Sequence, residues 1–214
     1  MIVDEEAVKK ILEEVKPAKL VAATKYVDEK EIEKLSDLGV KYFGENRVQA
    51  FLDKYDKYHG SGEFHMIGTL QVNKVKYIID KVKMIHSVNS LKLIKEIEKQ
   101  ASKHNLVIEI LVQVNIAHEE SKHGFDETEI YEAFDYLKEC PHIKPRGLMM
   151  MAPNIEAKDT DIYFKETSDL LKELQSHYPD MTLDQLSMGM SNDYKEAIKY
   201  GSTYVRIGRA LFKD

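Results

Sequence analysis

"KLVAATKYVDEKEIEKLSDLGVKYFGE", residues 19–45, decides the fold. Leu20, Val21, Ala22 and Ala23 are the small or branched apolar residues that fill a buried strand. Asp28 opens a helix in which Ile32, Leu35 and Leu38 recur at helical spacing, and Gly39 supplies a C-terminal stop. A second apolar run, "VKYFG", follows directly. A strand, a helix and another strand in succession imply parallel pairing, because parallel strands need a crossover between them.

The same alternation runs almost from end to end. "EFHMIG" (63–68) leads to "QVNKVKYIIDK" (71–81), and "VKMIHSV" (82–88) to "NSLKLIKEIEKQASKH" (89–104), with Asn89 and Ser90 as cap candidates. "LVIEILVQVN" (106–115) is the strongest strand signal, followed by "DETEIYEAFDYLKE" (126–139). "IKPRGLMMMA" (143–152), "LDQLSMG" (183–189) and "TYVRIG" (203–208) precede the last helical stretches. Eight strand-then-helix units behind one N-terminal helix predict a closed (β/α)8 TIM barrel, a single domain over residues 1–214. The alternative is an open doubly wound sheet, which normally carries a Gly-rich turn after its first strand. Here that turn reads "ATKYVDEK", without glycine.

The composition, 43% hydrophobic and 32% charged over 214 residues, is that of an ordinary globular protein. A net charge of −6 argues against nucleic acid as a partner, since no excess of positive charge is available to displace phosphate counterions. No segment is long and apolar enough for a membrane span, and the acidic, amphipathic start is unlike a signal peptide. Cys140, the one cysteine, has no intramolecular partner, which suits a reducing cytoplasm.

In a barrel, chemistry gathers where strands end and their following loops begin. Lys25 stands at such an end. It is either a lysine that snorkels to solvent along its own methylenes or a desolvated amine that attacks an aldehyde to form a Schiff base. "LSMGMSNDYKEAIKYGSTYVRIGRALF" (186–212) bears on the choice. Ser187, Gly189 and Ser191 cluster before a short helix that Asn192 or Asp193 could cap, where backbone amides can approach an anion. Gly208, between Arg206 and Arg209, offers a second glycine turn at the next strand end. A phosphate anchor facing an amine suggests a phosphorylated aldehyde, pyridoxal 5′-phosphate. His65 either hydrogen-bonds in the barrel mouth or packs. His118 and His123 lack a third ligand at metal spacing, so no metal site is expected, and Cys140 has no evident base.

At these residues the sequence resembles the pyridoxal phosphate homeostasis protein family, barrels similar to the N-terminal domain of alanine racemase. The resemblance is carried by "VAATK", "FGENRVQ", "HMIGTLQVNK", "VQVNIAHEESKHGF", "RGLMMMAP" and the C-terminal stretch above, in order across nearly the whole chain. It implies that Lys25 holds the cofactor as a Schiff base with Asn46 nearby. It also implies a phosphate against Ser187, Met190, Ser191, Gly208 and Arg209, and Arg206 facing the pyridine nitrogen. Departures from the family pattern are Thr24 for serine, Phe64 for tryptophan, Asn192 for aspartate, and Arg209 where some members have threonine.

An arginine at the ring nitrogen keeps that nitrogen unprotonated and weakens the cofactor as an electron sink. The racemase relatives bring a second base from an additional β-domain, and this sequence reaches Asp214 directly after its eighth unit. The expected function is therefore intracellular cofactor homeostasis with no catalytic residue assigned, delivering to cofactor-dependent apoenzymes. A monomer is expected, and a weak amino-acid racemase is the alternative.

Overall fold

The computed structural model describes residues 1–120 and 123–214; residues 121 and 122 of the quoted stretch 112–125 lie outside the described residues. After a short strand β1 (Ile2–Val3) and helix α1 (Glu5–Glu14), the alternation begins with β2 (Lys19–Ala23) and α2 (Glu29–Asp37). It continues through β3 (Tyr42–Glu45), α3 (Val48–Tyr55), β4 (Glu63–Met66), α4 (Val75–Ile78), β5 (Met84–Val88) and α5 (Leu91–Lys103). The second half comprises β6 (Ile108–Gln113), α6 (Glu129–Leu137), β7 (Ile143–Met149), α7 (Asp161–His177), β8 (Gln185–Ser187), α8 (Tyr194–Lys199) and β9 (Tyr204–Ile207). Strands β2 to β9 pair in parallel and in sequence order, and β9 returns to β2, closing the (β/α)8 barrel.

The local signals do what their chemistry allows. Asp28 caps α2 by accepting from the Glu31 amide at 3.1 Å, and Ser90, not Asn89, caps α5 by accepting from Leu93 at 3.1 Å. The outward residues of each strand pack under the helices in one continuous core, while Val21, Ile67, Met84, Leu111, Met149 and Tyr204 fill the barrel interior. The methionine run divides accordingly: Met149 and Met150 are buried and Met151 is exposed at the strand end.

Two features depart from the sequence reading. The eighth helix is a single 3-10 turn, Arg209–Leu211, and α1 packs against it: the Asp4 amide donates to the Leu211 carbonyl at 2.9 Å. The last residues then form β10 (Phe212–Lys213), antiparallel to β1. The two-residue ribbon pairs backbone groups of Phe212 and Lys213 with those of Val3 and Ile2.

Gly147 marks the closest approach of two barrel strands. Its φ is +147°, and a Cβ built there would stand 1.8 Å from the Gln185 carbonyl oxygen. Glycine alone lets β7 and β8 lie side by side at this point.

Candidate functional site at the C-terminal mouth of the barrel

Inward positions alternate along each strand. On β2 they are Lys19, Val21 and Ala23, so Lys25 continues the inward side just past the strand. Its side chain is exposed, and its ammonium lies 4.8 Å from the centre of the Tyr26 ring. The Arg209 guanidinium lies 5.7 Å from the same ring. The neighbouring Lys25 and Arg209 cations lower the pKa of the Tyr26 phenol. Tyr26 thus bridges the Schiff-base candidate and the turn after β9, a role that sequence reasoning missed. Lys25 is exposed among the described residues, whereas the desolvated amine considered from the sequence would be buried.

The turn that presents Lys25 is held from below. Lys54, buried on α3, donates to the carbonyls of Thr24 (2.9 Å) and Val27 (3.3 Å) and to Glu45 Oε1 (2.6 Å). The Thr24 hydroxyl donates to the same carboxylate oxygen at 2.6 Å, so threonine keeps the hydroxyl this position uses. Glu45 Oε2 and Asn46 Oδ1 are buried without a hydrogen-bond partner. Beside Lys25, on the β3–β4 side, a cavity of about 620 Å³ is lined by Tyr26, Asn46, Arg47, Ala50, Gly68 and Thr69.

On the other flank of β2, the loop after β8 is closed by Asp193. Its carboxylate accepts from the Met190 amide at 2.7 Å, and the amides of Asp193 and Tyr194 return to the Met190 carbonyl at 3.1 and 2.9 Å. Asp193 rather than Asn192 occupies the N-cap position of α8, with its carboxylate on the Met190 amide instead of a helix amide, and Asn192 is exposed. Gly189 enters this loop with φ +98°, and a Cβ there would press on Ala197 at 2.7 Å. Met190, Ser191 and Arg209 are exposed. A Cβ at Gly208 would meet Ala23 at 3.4 Å, ordinary contact, so space remains above that turn.

Arg206 is buried inside the barrel below these loops. It donates from NH1 to Ser187 Oγ and from NH2 to the Met150 carbonyl at 3.0 Å. Burial pushes its pKa down to about 10, with nearby Asp193 opposing the shift, so it remains a cation at neutral pH.

Two sequence expectations are corrected here. Ser187 is fully buried with its hydroxyl committed to Arg206 and to His86 Nδ1 (2.8 Å), so it does not stand free for a phosphate. His65 lies inside the barrel, not at the mouth. Its Nδ1 meets His86 Nε2 at 2.9 Å and its Nε2 meets Glu63 Oε1 at 2.9 Å. Both corrections have one cause: inward strand residues below the mouth are covered by the layer above. His86 was visible as a strand residue, but its pairing with Ser187, 101 positions away, leaves no local signal.

Elsewhere the candidates stay apart. His118 is exposed with Glu127 at 3.3 Å, and among the described residues no three metal-ligating side chains converge. Burial raises the Cys140 thiol to about 11, an unreactive position.

Comparisons with known proteins agree with this fold. The model of the alanine racemase N-terminal domain matches residues 6–214. A pyridoxal phosphate homeostasis protein of Aquifex aeolicus is 44% identical over 199 residues, 92% of this chain and 87% of that protein. The PipY structure of Synechococcus elongatus with PLP bound superposes with a TM-score of 0.91 at 29% identity, covering 98% of this chain and 99% of that one. An alanine racemase from Corynebacterium glutamicum shares the fold at 18% identity and a TM-score of 0.78, with 61% of its chain covered. The barrel, the strand-end lysine and the level of identity to these relatives lead to one assignment: the chain belongs to the pyridoxal phosphate homeostasis protein family, whose barrel is that of the alanine racemase N-terminal domain.

Proposed function

We propose that residues 1–214 form one cofactor-binding barrel that holds pyridoxal 5′-phosphate as a Schiff base on Lys25, without turning over amino acids. The observation that carries this reading is the exposed Lys25 amine linked through Tyr26 to the Arg209 turn, beside a buried cation at Arg206. The residues fit the group. Asn46 Oδ1 is an orphaned acceptor near the amine, the space above Gly208 accepts an added atom, and Met190, Ser191 and Arg209 are accessible to an anion.

When bound, the cofactor supplies an aldehyde carbon for the amine and a ring that can delocalise negative charge. Arg206 opposes the second capacity: a guanidinium has donors only, so a ring nitrogen facing it stays unprotonated and draws electrons weakly. The loops after β8 and β9 fix the phosphate, and Tyr26 orients the Lys25 ammonium. Cofactor-dependent apoenzymes are the recipients in this reading, and the protein acts as a cytoplasmic monomer.

Borohydride reduction of the loaded protein followed by peptide mapping tests the assignment. The pyridoxyl adduct is expected on Lys25, and an adduct confined to another lysine overturns it. Amino-acid racemisation abolished by Lys25→Ala would replace the holding role with the racemase alternative.

A further inference from the structure

The buried polar chain beneath the mouth has a direction, and its two ends set it. Arg206 has only donors, so Ser187 Oγ accepts from it. The serine's own hydrogen then goes to its other partner, His86 Nδ1, at 2.8 Å. That nitrogen must be bare, which puts the His86 proton on Nε2, where it is donated to His65 Nδ1 at 2.9 Å. The His65 proton in turn sits on Nε2 and is donated to the Glu63 carboxylate at 2.9 Å. Reversal would have Ser187 Oγ accept from both Arg206 and His86, leaving the fully buried serine hydrogen with no acceptor among the described residues.

We propose that Ser187 and His86 are positioning residues for Arg206, forming with His65 and Glu63 a one-way hydrogen-bond chain in which both histidines are neutral and carry their proton on Nε2. The chain starts at Glu63, partly exposed at the N-terminal end of β4, and crosses the barrel to the guanidinium below the opposite mouth. Ser187 on β8 and the Met150 carbonyl just past β7 hold two nitrogens of that guanidinium, which fixes its plane.

The surroundings favour this state. Burial, with the Arg206 cation adding to it, holds the His86 pKa well below 6.5. The His65 hydrogen bond is the main influence lowering the Glu63 pKa. The rings of Tyr42 and Tyr204 pack on His65, and Tyr204 also packs on His86. Lys19 and Lys83 are the cations acting on Glu63, and Asp193 is the anion acting on Arg206. What Arg206 faces rests on the cofactor reading above; the chain itself belongs to the protein alone.

Nitrogen-15 NMR of the cofactor-free protein at pH 7 reads the tautomers directly. Both histidines are expected as Nε2–H, and a proton on Nδ1 of either one, or a doubly protonated His86, overturns the proposal. Ser187→Ala should weaken retention of added pyridoxal 5′-phosphate about tenfold, the scale of one lost hydrogen bond to a charged group. Ser187→Thr, which keeps the hydroxyl, should recover it. Retention by Ser187→Ala equal to that of the parent overturns the positioning role. If Ser187→Ala fails to fold, Ser187→Thr takes its place: near-parent retention supports the role, and a tenfold loss despite intact tautomers overturns it. A parent protein that takes up no cofactor would sink the proposed function instead, and the tautomer pattern alone would then decide the chain.

Discussion

Strand β2 and the turn just past it present two lysines on the same inward side, and they meet opposite fates. Lys19, at the N-terminal mouth, is half-buried with its ammonium 4.4 Å from the centre of the Tyr204 ring, near the Tyr204 hydroxyl (3.3 Å) and Gln185 Oε1 (3.4 Å). Around it Arg146 is paired with Glu109 at 2.9 Å and with Asp184 at 2.8 Å. Lys25, six positions on, has the Tyr26 ring and open solvent. Burial lowers the Lys19 pKa, the property usually sought in a reactive amine, yet Lys19 is enclosed among aromatic rings and paired charges. In the proposed reading, access and the neighbouring loops after β8 and β9, rather than burial, set Lys25 apart from Lys19.

The largest effect would break the comparison outright. Lys25→Ala should abolish the visible absorbance gained on adding pyridoxal 5′-phosphate, while Lys19→Ala should load as the parent does. Equal loss in both variants would mean that the two mouths are not chemically distinct.

The next effect concerns what supports each mouth. Lys54→Met strands the buried Glu45 carboxylate and should cost about 3–5 kcal/mol in urea unfolding. Arg146→Met, at the rim where Glu109 and Asp184 remain solvated, should cost under about 1 kcal/mol. Similar losses would show that the floor of the Lys25 turn is no more demanding than the opposite rim.

The smallest effect lies between the mouths, in pH dependence. His86 has a folded pKa well below its ordinary 6.5, so below pH 6.5 the unfolded chain takes up a proton that the folded protein refuses. Stability should therefore fall as pH falls, by about 1.4 kcal/mol per unit from this group until the folded pKa is reached. His86→Asn should show a shallower slope between pH 6.5 and 5.5 in urea titrations. An unchanged slope would assign the acid sensitivity to other groups.

The barrel was legible because each strand run and helix stripe advertises itself locally. The strand-end placement of Lys25 was legible because an apolar run ended on a charge, and the turns at Gly189 and Gly208 because small residues stood at two late strand ends. The layer beneath was not. His65 and Ser187 read as mouth residues because sequence gives a strand's direction but not the depth at which its end is covered. Lys54 drew no attention in the sequence, since nothing local reveals that its ammonium reaches the Thr24 and Val27 carbonyls. The ribbon pairing Val3 with Phe212 joins positions too far apart for any local pattern.

Gly147 gives the architecture a history as well as a shape. With the Gln185 carbonyl 1.8 Å from where a Cβ would stand, this position is under selection in any descendant that still folds, whatever it binds. Lys25, exposed and outside the packed core, is under selection only while its amine is needed. A lineage released from its cofactor would drift at position 25 and keep glycine at 147. Among descendants of this barrel, the two positions therefore record separately whether the shape has been inherited and whether the chemistry has.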